Sequence, residues 1–184
     1  MNRTEALNLL KKYVKSDRMV AHCISSEAVM RTVAIHLHQD DEKWALAGLL
    51  HDIDVEVTNG NPKTHALEAE NILKPLAIDD DIIDAIKMHN EQATGLPRTT
   101  IFQHALACCE TITGLITATT MVYPDKKVAS VKPSSVVKRM KEKHFAASVS
   151  RENILECEKI GIPLPQFAEM AIKAMCTVSE EIGL

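Results

Sequence analysis

Hydrophobic residues recur at helical spacing along nearly the whole chain, while the strict alternation of a half-buried strand is scarce. That pattern restricts the fold to an all-α one. At 184 residues, with 46% apolar and 25% charged side chains, the chain has the length and composition for one soluble domain with a sizeable core. No repeat, low-complexity tract or linker divides it. The expectation is a single-domain helical bundle over residues 1–184.

The helices follow from periodicity and stop signals. Ala6, Leu9, Leu10, Tyr13 and Val14 mark one face of a first helix over about residues 4–15. Ser16 or Asp17 caps a second, running to about His38 with Met19, Cys23, Ile24, Val29, Val33 and Leu37 inward. A third covers about 42–51. Pro62, in the position favoured for a first turn, predicts a fourth over about 62–73. Asp79-Asp80-Asp81 opens a fifth that reaches about Asn90, the acids complementing its N-terminal dipole. After Gly95-Leu96-Pro97, Thr99 or Thr100 starts a long apolar helix to about Val122. The last third predicts helices at about 134–141, 144–160 and 164–181.

Composition excludes several function classes. With aromatics at 3%, an aromatic platform for stacking bases is not expected, and a net charge of −4 offers no attraction to duplex nucleic acid. No apolar run is expected to span a bilayer, and no signal-peptide core follows Met1-Asn2-Arg3-Thr4-Glu5. The five cysteines form no C-x-x-C pair, which argues for small apolar core residues in a reducing cytoplasm.

The chemistry concentrates where Leu46-Ala47-Gly48-Leu49-Leu50 ends in His51-Asp52-Ile53-Asp54. An apolar helix that finishes inside the fold with two coordinating side chains needs a reason, and a metal ion supplies one. Adjacent helical residues point about 100° apart, so His51 and Asp52 share an ion only in the groove between those directions. The two oxygens of Asp52 can hold two ions about 3.5–4 Å apart. His22, His65 and His89 lie one per helix around this doublet. His65, placed in a first turn, is expected to have a lowered pKa. Glu110 is the one acid within Ile101–Val122, and a buried carboxylate there requires a partner, which a cation or a lysine provides. Nothing chemical accompanies His36, His38, His104 or His144.

In this order, His22, His51-Asp52 and Glu110 resemble the HD-domain metal-dependent phosphohydrolases: a helical histidine, a His-Asp doublet about thirty residues on, and a later acid in a long helix. The resemblance covers about residues 18–122. Members with two metals carry two further histidines between the doublet and the last acid, which His65 and His89 match. His89-Asn90-Glu91-Gln92-Ala93-Thr94-Gly95-Leu96-Pro97 is similar, in degenerate form, to the signature of the HD-GYP branch. Three departures stand out. Glu110 replaces an Asp. Asn90 replaces the second histidine of a His-His pair, so no third metal is expected. Ile53-Asp54-Val55-Glu56 replaces Ile-Gly-Lys, so a catalytic lysine is missing. Thr113–Ile116, Phe145-Ala146 and Arg151-Glu152 also resemble small bacterial HD proteins of the HDIG-like kind.

The resemblance implies a hydrolase holding one or two divalent ions, and the mixed imidazole and carboxylate set suits Mn, Fe, Co, Ni or Zn. It implies ligation by His22, His51, Asp52, His65, His89 and Glu110. Asp52 would act as the bridge, and Asp54 or Glu56 would handle a proton or orient water; surface acids at a helix end are the other reading of the latter two. Lys138, Arg139 and Lys143, within a basic run, are candidates for phosphate recognition, against a solvated basic face. The expected substrate is a nucleotide or other small phosphate ester, the alternative a non-catalytic nucleotide or metal sensor, and a weaker third idea an iron oxygenase. Oligomeric state stays open, with a homodimer compatible.

Overall fold

Thr100 and Gln103 cap one another reciprocally and start the longest helix, α7 (Ile101–Met121), whose buried residues run from Gln103 to Thr120. The computed structural model describes all 184 residues and contains helices and turns without a strand. Around α7 pack α2 (Asp17–His36), α5 (Asp80–His89), α9 (Arg151–Leu155) and a 3-10 turn over Glu156–Ile160. α1 (Arg3–Tyr13) and α3 (Asp41–Leu50) complete the N-terminal side, and α10 (Leu164–Thr177) lies against α2. Short helices α4 (Glu68–Leu73), α6 (Glu91–Thr94), α8 (Pro133–Arg139) and α11 (Ser179–Ile182) fill the connections. Fully buried Phe167, Leu106, Ile112, Leu115 and Leu50 belong to one continuous core.

The most extensive helix contact is between α2 and α3. A Cβ on Gly48 would sit 2.7 Å from the Ser26 carbonyl oxygen, so only glycine lets the two backbones approach this far. This contact fixes where α3 ends, and therefore where His51 emerges.

Three expectations change. The predicted fourth helix does not begin at Pro62: residues 51–67 are turns, Ala66 has φ +77, and the helix starts at Glu68. The amide of Ala69, in its first turn, donates to Asp54 Oδ2 at 3.1 Å, so a carboxylate from the preceding loop caps it. The predicted helix over 144–160 is broken, because Ser150 caps a new helix and accepts from the Asn153 amide. The preceding turns are tied by Arg151, which donates to the carbonyls of Ala146 and Val149. Finally, α7 is long and apolar enough to cross a membrane by length and composition, contrary to the sequence expectation, but 61% of its apolar window is buried within the protein.

Candidate metal centre

Apolar Leu49 and Leu50 carry α3 into the protein, so the chain leaves this helix in the interior. His51 emerges at its C-cap fully buried, and Asp52 follows with 6% of its surface exposed. Toward this pair α2 directs His22, the turn segment His65, and the last residue of α5 is His89.

The two oxygens of Asp52 face different histidines. Oδ2 lies 3.4 Å from His51 Nε2 and 3.6 Å from His22 Nε2. Oδ1 lies 3.0 Å from His65 Nε2 and 3.6 Å from His89 Nε2. Within each histidine pair the Nε2 atoms are 3.2 Å apart. Two trios result, His22–His51–Asp52 and Asp52–His65–His89, each with donor atoms within 4.8 Å of one another.

The second nitrogen of every ring is already engaged. His51 Nδ1–H donates to the Gly48 carbonyl at 2.8 Å, and His89 Nδ1–H to that of Ile86 at 2.5 Å. His22 Nδ1–H donates to Thr113 Oγ1 at 2.9 Å, because that hydroxyl gives its own proton to the Glu110 carbonyl at 2.7 Å. His65 Nδ1–H donates to Asp54 Oδ1 at 2.8 Å. With Nδ1 as the donor in all four, every ring turns its Nε2 inward, and a ring in its neutral form presents a bare lone pair there. Two such lone pairs 3.2 Å apart repel unless a proton or cation lies between them. The donor set therefore fits two divalent ions with Asp52 shared.

Electrostatics support a neutral His51 and a charged Asp52, and set His65 apart. Burial pushes His51 down to about 3, which keeps its imidazole neutral. Burial alone would raise the Asp52 carboxyl, but the surrounding imidazoles, His51 foremost, outweigh it and hold Asp52 well below the usual carboxylate range. Burial also lowers His65, yet its hydrogen bonds to Asp52 and Asp54 win and lift it to about 10. That reverses the expected lowering, because no helix starts at Pro62 and two carboxylates flank the ring. On His65 Nε2 a proton and a divalent ion are alternatives.

The HD domain family model matches residues 19–119, more than half of the chain and the stretch that carries all of these side chains. The chain belongs to the HD-domain family, a superfamily of metal-dependent phosphohydrolases. No solved structure matches the chain at a significant level.

Within this HD domain, the structure brings five of the six expected ligands together. Glu110 stands beside the first trio, with Oε2 3.8 Å from His22 Nε2 and its other oxygen accepting from the Thr111 hydroxyl. Burial raises its carboxyl above the ordinary range. Asp54, expected to handle protons, is fully buried, and its two oxygens are taken by His65 and the Ala69 amide. It orients His65 instead. Glu56 Oε1 accepts from the Lys15 and Ser16 amides, which ties the His51–Gly60 turns to the start of α2. Lys138, Arg139 and Lys143 make no hydrogen bond or ion pair with the site. Arg139 is held by Glu142 at 2.7 Å and lies over the Phe145 ring, while Lys138 and Lys143 are exposed.

Several supporting residues of the HD domain have roles that the sequence does not reveal. Thr113 and Gly48 orient His22 and His51. Asn90 donates to the Pro62 and His65 carbonyls, both at 2.9 Å, and so ties the His65 turn to the end of α5. The available signals were weak: a glycine in an apolar helix, and an asparagine directly after a histidine.

Proposed function

We propose that the protein is a metal-dependent phosphohydrolase acting on a mono- or diester of phosphate in a nucleotide or other small phosphate ester. The observation that carries this reading is the division of the Asp52 carboxylate, with one oxygen toward each pair of inward-facing Nε2 atoms. His22, His51 and Asp52 would hold one ion, and Asp52, His65 and His89 the other. Divalent ions held so supply a water of lowered pKa as nucleophile and positive charge opposite the phosphate oxygens.

The remaining residues orient and admit. Asp54, Gly48, Thr113 and Ile86 hold the ring orientations, so that every Nε2 already points inward, that of His65 being free for an ion once its proton leaves. Side-chain exposure is 22% for His22 and 15% for both His65 and Glu110, against 1% for His51. Substrate would thus approach from the side of His22, His65 and Glu110. Gly114, one turn beyond Glu110 on α7, packs on Val149, since a Cβ there would lie 3.3 Å from that side chain. This contact brings the turns before α9 close to the mouth. Of their basic groups, Lys143 is exposed and free to meet an anionic phosphate, and Lys138 is exposed at the end of α8. The weak aromatic content favours aliphatic contacts to any base.

Elemental analysis together with a nucleotide and phosphate-ester panel in Mn, Fe, Co, Ni and Zn tests the reading. Co-purifying metal and turnover that disappears in Asp52→Ala are expected. A protein without metal, whose activity survives that substitution, would refute it. The position of Glu110 beside the first trio favours a second reading, a nucleotide or metal sensor, and tight nucleotide binding without turnover in any metal would select it.

A further inference from the structure

Arg98, in the loop between α6 and α7, lies outside the metal centre, and its side chain is only 1% exposed. A guanidinium carries five N–H donors, and all five meet acceptors here. Nε and Nη2 take the two oxygens of Glu156 at 2.7 and 3.0 Å, and Nη2 also reaches Asn153 Oδ1 at 3.0 Å. Nη1 donates to the Met88 carbonyl at 2.9 Å and the His89 carbonyl at 3.2 Å. Those two carbonyls end α5 and have no partner within the helix. His89 is the last residue of α5, where a helix frays unless something binds it. Its ring bond to the Ile86 carbonyl holds only while this final turn stays wound.

We propose that Arg98 is a positioning residue that makes the ion site at Asp52, His65 and His89 depend on the C-terminal segment, while the site at His22 and His51 is independent of it. The proposal rests on the two-ion reading above. Glu156 and Asn153, the partners that orient the guanidinium, lie beyond the stretch that matches the family, residues 19–119. His22 and His51 are held by Thr113 and Gly48 and share no hydrogen bond with Arg98. Loss of the guanidinium would release the last turn of α5 and let the His89 ring sample other orientations. Removing a partner that orients a ligand costs roughly 10–100-fold in metal affinity.

The test uses the full chain with Arg98→Met and Glu156→Leu together, since apolar residues in place of a buried ion pair are often tolerated whereas one stranded charge is not. Asn153→Ala, which removes one acceptor and strands no charge, is the second variant should the first not fold. In metal-free protein, long-range nitrogen–proton spectra should show one fixed His89 tautomer in the wild type and averaged tautomers in the variant, with His51 unchanged. In calorimetric titration with cobalt(II), one binding step should weaken by roughly 10–100-fold and the other stay as it was. Arg98→Lys, which can still donate to the two carbonyls, should fall in between. An unchanged His89 spectrum, or two steps that weaken equally, overturns the role of Arg98. A wild type that takes up no cobalt at all instead overturns the two-ion reading, a result the His89 spectrum does not depend on.

Discussion

The two halves of the metal centre share one carboxylate but are built differently. His22 and His51 stand in or at the end of helices α2 and α3, whose backbones meet at Gly48, and their rings rest on a backbone carbonyl and a buried threonine. His65 sits in a segment of turns and is held by Asp54 and Asn90, while His89 depends on the final turn of α5. The first half is rigid because helix packing places it. The second is assembled by individual hydrogen bonds, each of which can be removed alone. A site of this kind should lose its second ion more readily than its first.

The largest expected effect removes the comparison altogether. Asp52→Ala should abolish both ions, weakening each by more than the roughly 100-fold typical of an orienting partner, as metal content and titration would show. His22→Ala and His89→Ala should each leave one ion in place, and loss of both ions from either variant would mean that the halves do not fill separately. Asp54→Asn should weaken only the second ion, by roughly 10–100-fold, while Thr113→Val does so for the first alone. Gly48→Ala acts on the rigid half: it forces α2 and α3 apart and should cost about 1–3 kcal/mol, read as a lower Tm. An unchanged Tm would show that the contact yields easily.

The smallest effect concerns acid stability in the second half. Burial raises the Glu156 carboxyl, but hydrogen bonds from Arg98 and His104 outweigh it, so its folded pKa lies below the ordinary value. A depressed acid contributes stability above its unfolded pKa and loses it as pH falls through the folded one. Tm measured downward from neutral pH should therefore decline below the ordinary glutamate range. In Glu156→Gln that decline should be shallower; an identical pH profile would remove Glu156 from the account.

His22, His51, Asp52, His65 and His89 were legible from sequence because ligand types placed one per helix around a His-Asp doublet are a pattern of residue identity. The all-α fold was legible for a similar reason: helical period is a local property, written into each segment. The failures are all matters of distant partners. Nothing near Pro62 tells that Asp54 will cap Ala69 and leave His65 in turns with its pKa raised rather than lowered. Glu110 stands on the expected long helix, and its distance from His22 follows from how α7 lies against α2, which no local pattern carries. Arg98 carries no signal in the sequence, because Glu156, the carboxylate that orients it, approaches from 58 positions away. By itself the sequence determined which side chains can bind metal and that helices would carry them. The tertiary structure alone decided which oxygen of Asp52 meets which histidine, because hydrogen bonds across the fold set ring tautomers and helix ends, and those are not properties of any one segment.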